Sequence, residues 1–139
     1  MSFREKSAWI SFVLLLATFL IYAGRFAWVI ATHSGERDLI HIFLALVGGL
    51  VVLEIVLHVI AAMTSPGEAR LPKDERERLI AMRATQAAFP VLIFGALASI
   101  GTMHLGARAW MMGHTTLLAI VVAELVKFGT EIRLYRRDR

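Results

Sequence analysis

The chain has 139 residues, no cysteine, a formal net charge of +4, and 58% hydrophobic residues. A water-soluble domain of this length cannot cover that much apolar surface with so few polar groups, and without thiols there are no disulfides, iron–sulfur clusters or thiolate metal sites. The basic residues gather at the ends of apolar runs instead of on one soluble face, which points to a lipid bilayer as partner and away from nucleic acid.

The first apolar run, 8–31, is longer than the ~7–15 residues of a signal-peptide core and predicts a retained transmembrane helix. Trp9, Tyr22, Phe26 and Trp28 lie towards its ends, where amphipathic rings favour the headgroup level. Ala23, Ala27 and Ala31 recur at four-residue spacing and suit close helix approach. Arg25 lies six residues inside Ala31, roughly 9 Å at helical rise, a distance a snorkelling arginine covers. Ser34-Gly35 suits a turn. The run 39–63 predicts a second helix, in which Gly48-Gly49 permits close packing and Glu54 and His58, four apart, share a face. Ser65-Pro66-Gly67 stops it.

Residues 64–83 form the one long polar passage and read as a linker between two membrane hairpins. The stretch Asp74–Met82 is expected to be helical and continuous with the third span, 84–104. Asp74 and Glu75 complement the helix dipole, and Asp74 is expected to pair with Arg78 and Lys73 with Glu77. Pro90 removes one hydrogen bond and predicts a kink. Gly95 with Ser99, and Ala98 with Thr102, again set small residues four apart. After an outer turn, 105–113, the last helix is expected over 114–134, followed by the charged Tyr135–Arg139.

Eleven Lys and Arg residues fall in the N-terminus, linker and tail; the two opposite loops hold only Arg37 and Arg108. The positive-inside rule then predicts both termini and the linker in the cytoplasm. A short similarity links Gly24–Trp28 to Gly106–Trp110, and Glu54 to Glu124. Two hairpins related by an axis along the membrane normal would produce it, and so would chance.

Asp74-Glu-Arg-Glu-Arg-Leu-Ile80, with Ser65-Pro66 upstream and Leu134-Tyr-Arg-Arg137 at the end, resembles a group of small four-helix bacterial membrane proteins with no established activity. The resemblance covers most of the chain. It implies a contact surface at Asp74, Glu75, Arg76, Glu77 and Arg78, and a small helix-turn-helix regulator as a cytoplasmic partner.

His33, His41, His104 and His114 fall towards the outer ends of the four helices, with Met103, Met111 and Met112 close by. Imidazole and thioether ligands suit copper, and imidazole suits zinc, so one ligand from each helix is a conceivable metal site. None of the pairs has tight ligand spacing, and histidine is at home in the interface. His58 and His104 lie at opposite sides, so the two do not share a haem iron. Glu54, His58, Glu124, Lys127 and Glu131 are expected as a buried polar cluster, because a charge near the bilayer centre costs about 2.5–3.5 kcal/mol and should face protein or water. Two readings follow: a proton or ion relay, or an interhelical clamp that holds the two hairpins together, worth ~0.6 kcal/mol per hydrogen bond. No nucleophile–base motif, phosphate loop or carboxylate pair appears at readable spacing.

The expectation is therefore an all-α polytopic membrane protein, a single domain over 1–139, with four helices in up-down order and both termini cytoplasmic in a bacterial inner membrane. The expected role is a non-catalytic accessory or regulatory subunit without a cofactor, working as a homo-oligomer or within a membrane complex. The alternative is a small proton, ion or metal transporter.

Overall fold

The computed structural model describes residues 3–33, 36–67, 71–72, 74–106 and 108–137. The described elements are α1 (Phe3–Thr32), α2 (Glu36–Thr64), α3 (Glu75–Gly101), a 3-10 turn (Thr102–Leu105) and α4 (Ala109–Arg137). Hydrocarbon offers backbone amides no partner, so long apolar runs close their hydrogen bonds internally as helices. All four helices are long and apolar enough to cross a membrane.

Each helix is longer than its apolar run. The helix expected from residue 8 begins at Phe3, the one expected from 114 begins at Ala109, and the third span starts at Glu75. The reason is physical: apolarity marks the part of a helix that lipid solvates, whereas the hydrogen-bond ladder continues into the headgroup region. A helix of 30 residues reaches roughly 45 Å, beyond the ~30 Å hydrocarbon core.

The ends are made by specific residues. His33 closes α1 at φ 51°, a left-handed conformation that histidine tolerates better than most non-glycine residues. Asp74 caps α3: its Oδ1 accepts from the Glu77 N–H at 2.7 Å, with Asp74 in extended geometry. Its carboxylate satisfies an orphan amide instead of pairing with Arg78, which corrects the expected ion pair. From that cap α3 runs without interruption through Pro90 to Gly101, so Asp74–Met82 does join the third span. Gly106, at φ 74°, ends the 3-10 turn and donates its N–H to the Met103 carbonyl at 3.1 Å. The turn expected at Ser34-Gly35 and the Lys73–Glu77 pair lie outside the described residues.

The helices form two compact units, residues 1–70 and 71–139. In the first, Tyr22 meets Phe43 edge-on at 5.5 Å between ring centroids, and Ser7 meets His58. Contacts at both ends make α1 and α2 antiparallel. Tyr22, Phe26, Val29 and Leu39 are buried, while the alternative stripe has Ala27 and Ala31 exposed. Tyr22 and Phe26 are therefore core residues of the hairpin; larger rings bury more area than alanines. Trp28 is exposed, as is Arg25. The face of Gly48-Gly49 is open, with nothing within 4 Å of where a Cβ would stand.

The second unit packs more closely. Ile80, Ala84, Ala88 and Ser99 are buried on α3, and Gly95 falls on the same stripe. A Cβ built on Gly95 would stand 2.5 Å from the Ala119 Cβ. Ser99, four residues on, bonds Thr115 and Thr116, so the register is antiparallel. The small residues expected four apart are what allow this approach.

Gly95→Ala therefore forces α3 from α4. Overpacking costs about 1–3 kcal/mol, against a gain of ~1 kcal/mol from helix propensity. Gly101→Ala meets no neighbour and should be neutral or stabilising. Thermal unfolding in mild detergent should show Gly95→Ala melting below the parent, with Ala119→Gly in the same chain restoring it.

Candidate functional site

A polar side chain within a membrane span needs a partner, and three groups of such partners occur. The first ties α1 to α2. The His58 ring stands with Nδ1 2.7 Å from the Glu54 carbonyl oxygen and Nε2 2.8 Å from Ser7 Oγ. A carbonyl only accepts, so Nδ1 carries the proton. In the neutral ring Nε2 then accepts from the Ser7 hydroxyl. Lys6 Nζ donates to Ser65 Oγ at 3.4 Å, and the two contacts fasten the start of α1 to the end of α2.

The second group lies between α3 and α4. Ser99 Oγ is within 2.8 Å of the Met112 carbonyl, 3.0 Å of Thr115 Oγ1 and 2.6 Å of Thr116 Oγ1. Each hydroxyl has one proton, so these contacts alternate. Thr115 and Thr116 donate to carbonyls one turn back on α4 or to Ser99 Oγ, and Ser99 to the Met112 carbonyl or a threonine oxygen. Ser99 is 2% exposed, so this network is shielded from water and retains its electrostatic strength.

The third is confined to α4. Lys127 Nζ donates to Glu124 Oε2 at 2.8 Å, with side-chain exposures of 30% and 44%. The ammonium also lies 5.0 Å from the Phe128 ring centroid. Glu124 is nine residues from Arg133, roughly 13 Å at helical rise. Pairing lowers the cost of holding either charge at that depth.

The five residues expected as one buried cluster divide between the two units. Glu54 and His58 belong to the first unit, Glu124, Lys127 and Glu131 to the second, and all five are half-buried rather than buried. Glu54 contributes its backbone carbonyl to His58. Helical spacing showed which residues share a face; it does not show the partner across the helix.

Of the four histidines, His33, His41 and His104 are exposed. His114 is buried, its ring 5.7 Å from that of Trp110. Among the described residues no three His, Asp or Glu side chains gather as a metal site. In the linker surface, Asp74 caps the helix, Glu75, Arg76 and Arg78 are exposed, and Glu77 is half-buried.

Ser7, Thr115, Thr116 and Glu5 do not stand out singly in the sequence, and Ser99 does so only as a small residue, not as a hydrogen-bonding one. Glu5 is 2% exposed in the first turn of α1, where the macrodipole favours a carboxylate. Its neighbours Arg4 and Lys6 made it read as one more charge in a solvated start. The Ser99 network had a visible signal: Thr115-Thr116 in an apolar run, in a hairpin whose other helix carries Gly95 and Ser99.

Four helices of spanning length and apolarity, with His58–Ser7 and the Ser99 network bonded inside their hairpins, define a multi-pass membrane protein. The chain belongs to the family described as "Predicted membrane protein (DUF2178)", whose model matches residues 5–139. No curated protein and no solved structure matches it.

The polar groups make separable predictions. Ser99→Ala should cost about 1 kcal/mol per lost hydrogen bond and lower the melting temperature, while Thr102→Ala, which removes only a bond to the Ser99 carbonyl, should cost less. Lys127→Leu leaves Glu124 without its cation and should lower stability by about 1 kcal/mol, the small value reflecting partial exposure. Glu124→Gln keeps an acceptor for the ammonium and should unfold closer to the parent in the same measurement.

Proposed function

We propose that this protein is a non-catalytic accessory or regulatory subunit of a bacterial inner-membrane assembly, working through helix surfaces. Its four helices cross in up-down order with the termini and the 64–83 linker in the cytoplasm. The observation that carries this reading is α2. Gly48 and Gly49 have no neighbour within 4 Å, and Leu44, Val52, Ile55, Val56 and Val59 around them are exposed. Such a face suits either lipid or the close approach of another helix, because glycine lets backbones meet.

The polar bonds support the same reading. His58–Ser7 and the Ser99 network use their donors and acceptors within each hairpin, holding its two helices together. The cap at Asp74 starts α3 in the linker, so Glu75, Arg76 and Arg78 project from a regular helix as a defined contact surface. A small cytoplasmic regulator, implied by the resemblance, is the partner proposed for it.

A second reading, ion or proton transport, rests on the half-exposed Glu124–Lys127 pair at depth. The two readings separate in proteoliposomes: a transporter loses flux with Glu124→Gln while remaining folded, whereas an accessory subunit carries no flux to lose. For the leading reading, a photo-crosslinking residue at Gly49 should join the chain to a second copy or to a distinct membrane protein in native membranes. Crosslinking to lipid alone would refute it. For the orientation, Leu105→Cys should react with an impermeant thiol reagent outside intact cells and Gly67→Cys should not; the chain has no native cysteine to interfere. Labelling at Gly67 from outside would reverse the topology.

A further inference from the structure

One end of the second hairpin carries more exposed positive charge than the helices need for their own stability. On α4, Arg133, Arg136 and Arg137 are exposed. At about 100° per residue, from 3.6 residues per turn, the three fall within an arc of roughly 100°. Like charges at these spacings destabilise an isolated helix. The dipole at the helix C-terminus accounts for cations in the last turn, Arg136 and Arg137. Arg133 lies before that turn, where the dipole effect has faded.

The partner helix adds to the same level. Gly95 meets Ala119, and Ser99 meets Thr115 and Thr116, so a step along α3 is answered by an equal step the other way along α4. Twelve residues back from Gly95 is Arg83, and twelve on from Ala119 is Glu131. Arg83 and Arg133 are therefore about two residues apart in depth, roughly 3 Å. Both are exposed. The acidic residues of α3, Glu75 and Glu77, lie in its first turn, two turns further from the span than Arg83. By the same count the half-buried Glu131 shares the level of Arg83 and Glu77 faces Arg137, so Arg83 and Arg133 outnumber one carboxylate where the apolar span ends, and the charges further out are mixed. Tyr135, half-buried at the arginine level, is a residue type that favours headgroups.

We propose that Arg83 and Arg133 form a recognition site for the phosphate of an anionic phospholipid at the end of the second hairpin. Charge complementarity and depth select this occupant. The guanidiniums stand where the apolar run gives way to polar sequence, the level of lipid phosphates, and their forked donors match phosphate oxygens in bidentate fashion. A zwitterionic lipid presents the same phosphate with a compensating ammonium, so the site discriminates by net charge. The site requires only that the hairpin spans a bilayer, not the subunit role or the orientation proposed above.

The test is native mass spectrometry of the purified full chain with phosphatidylglycerol and phosphatidylcholine supplied in equal amounts. The parent should retain phosphatidylglycerol preferentially. The Arg83→Gln/Arg133→Gln double variant should lose about thirtyfold in affinity for it, equivalent to about 1 kcal/mol for each guanidinium. Arg25→Gln, which removes a charge from the first hairpin, should leave the preference in place. Circular dichroism confirms that the variants remain helical, and a milder Arg133→Lys variant should keep most of the binding. Equal retention of the two lipids by the parent would overturn the proposal. So would unchanged selectivity in the double variant, displacement of the lipid by millimolar inorganic phosphate, or an acidic protein segment held at these arginines in place of lipid.

Discussion

Inside hydrocarbon a backbone amide has no water to bond, and a side-chain donor has none either. The molecule depends on this constraint at two scales. At the backbone it produces helices of 27 to 30 residues that extend beyond their apolar runs. At the side chains it favours polar residues that find a partner close by: His58 meets Ser7 and a carbonyl, Ser99 meets two threonines, and Lys127 takes Glu124.

The two hairpins meet the constraint in different ways. The first relies on rings, Tyr22 against Phe43 and Phe26, with polar fastening at the end where α1 starts. The second relies on the absence of side chains. Gly95 lets α3 approach Ala119 closely enough that one more methyl does not fit, and that proximity brings Ser99 within reach of α4. The hydrogen bonds there are a consequence of the glycine. This coupling of small residues to interhelical polar bonds is general in membrane helices, where lipid competes for apolar contacts on equal terms and close packing supplies the difference.

Function is argued from what these bonds leave over. Polar groups engaged within a hairpin hold helices together, and the surfaces that remain are the open glycine face of α2 and the charged ends of α3 and α4. The first is apolar and the second carries exposed arginines, and the accessory role proposed above rests on these two exposed surfaces.

Length and apolar runs alone determined the helical class and the count of four candidate spans, because spanning a bilayer imposes one period and one minimum length on any chain. The small-residue spacing at Gly95 and Ser99 was legible for the same reason: four residues always return to one helix face. Tertiary structure decided which of several such stripes is used. Ala27 and Ala31 look as suitable as Gly95 and Ser99 in sequence but are exposed, since the choice depends on the side chains of the facing helix. It also decided that Asp74 caps a helix instead of pairing with Arg78, and that His58 is satisfied inside its own hairpin. Periodicity says which residues share a face; only three-dimensional contact says what that face meets.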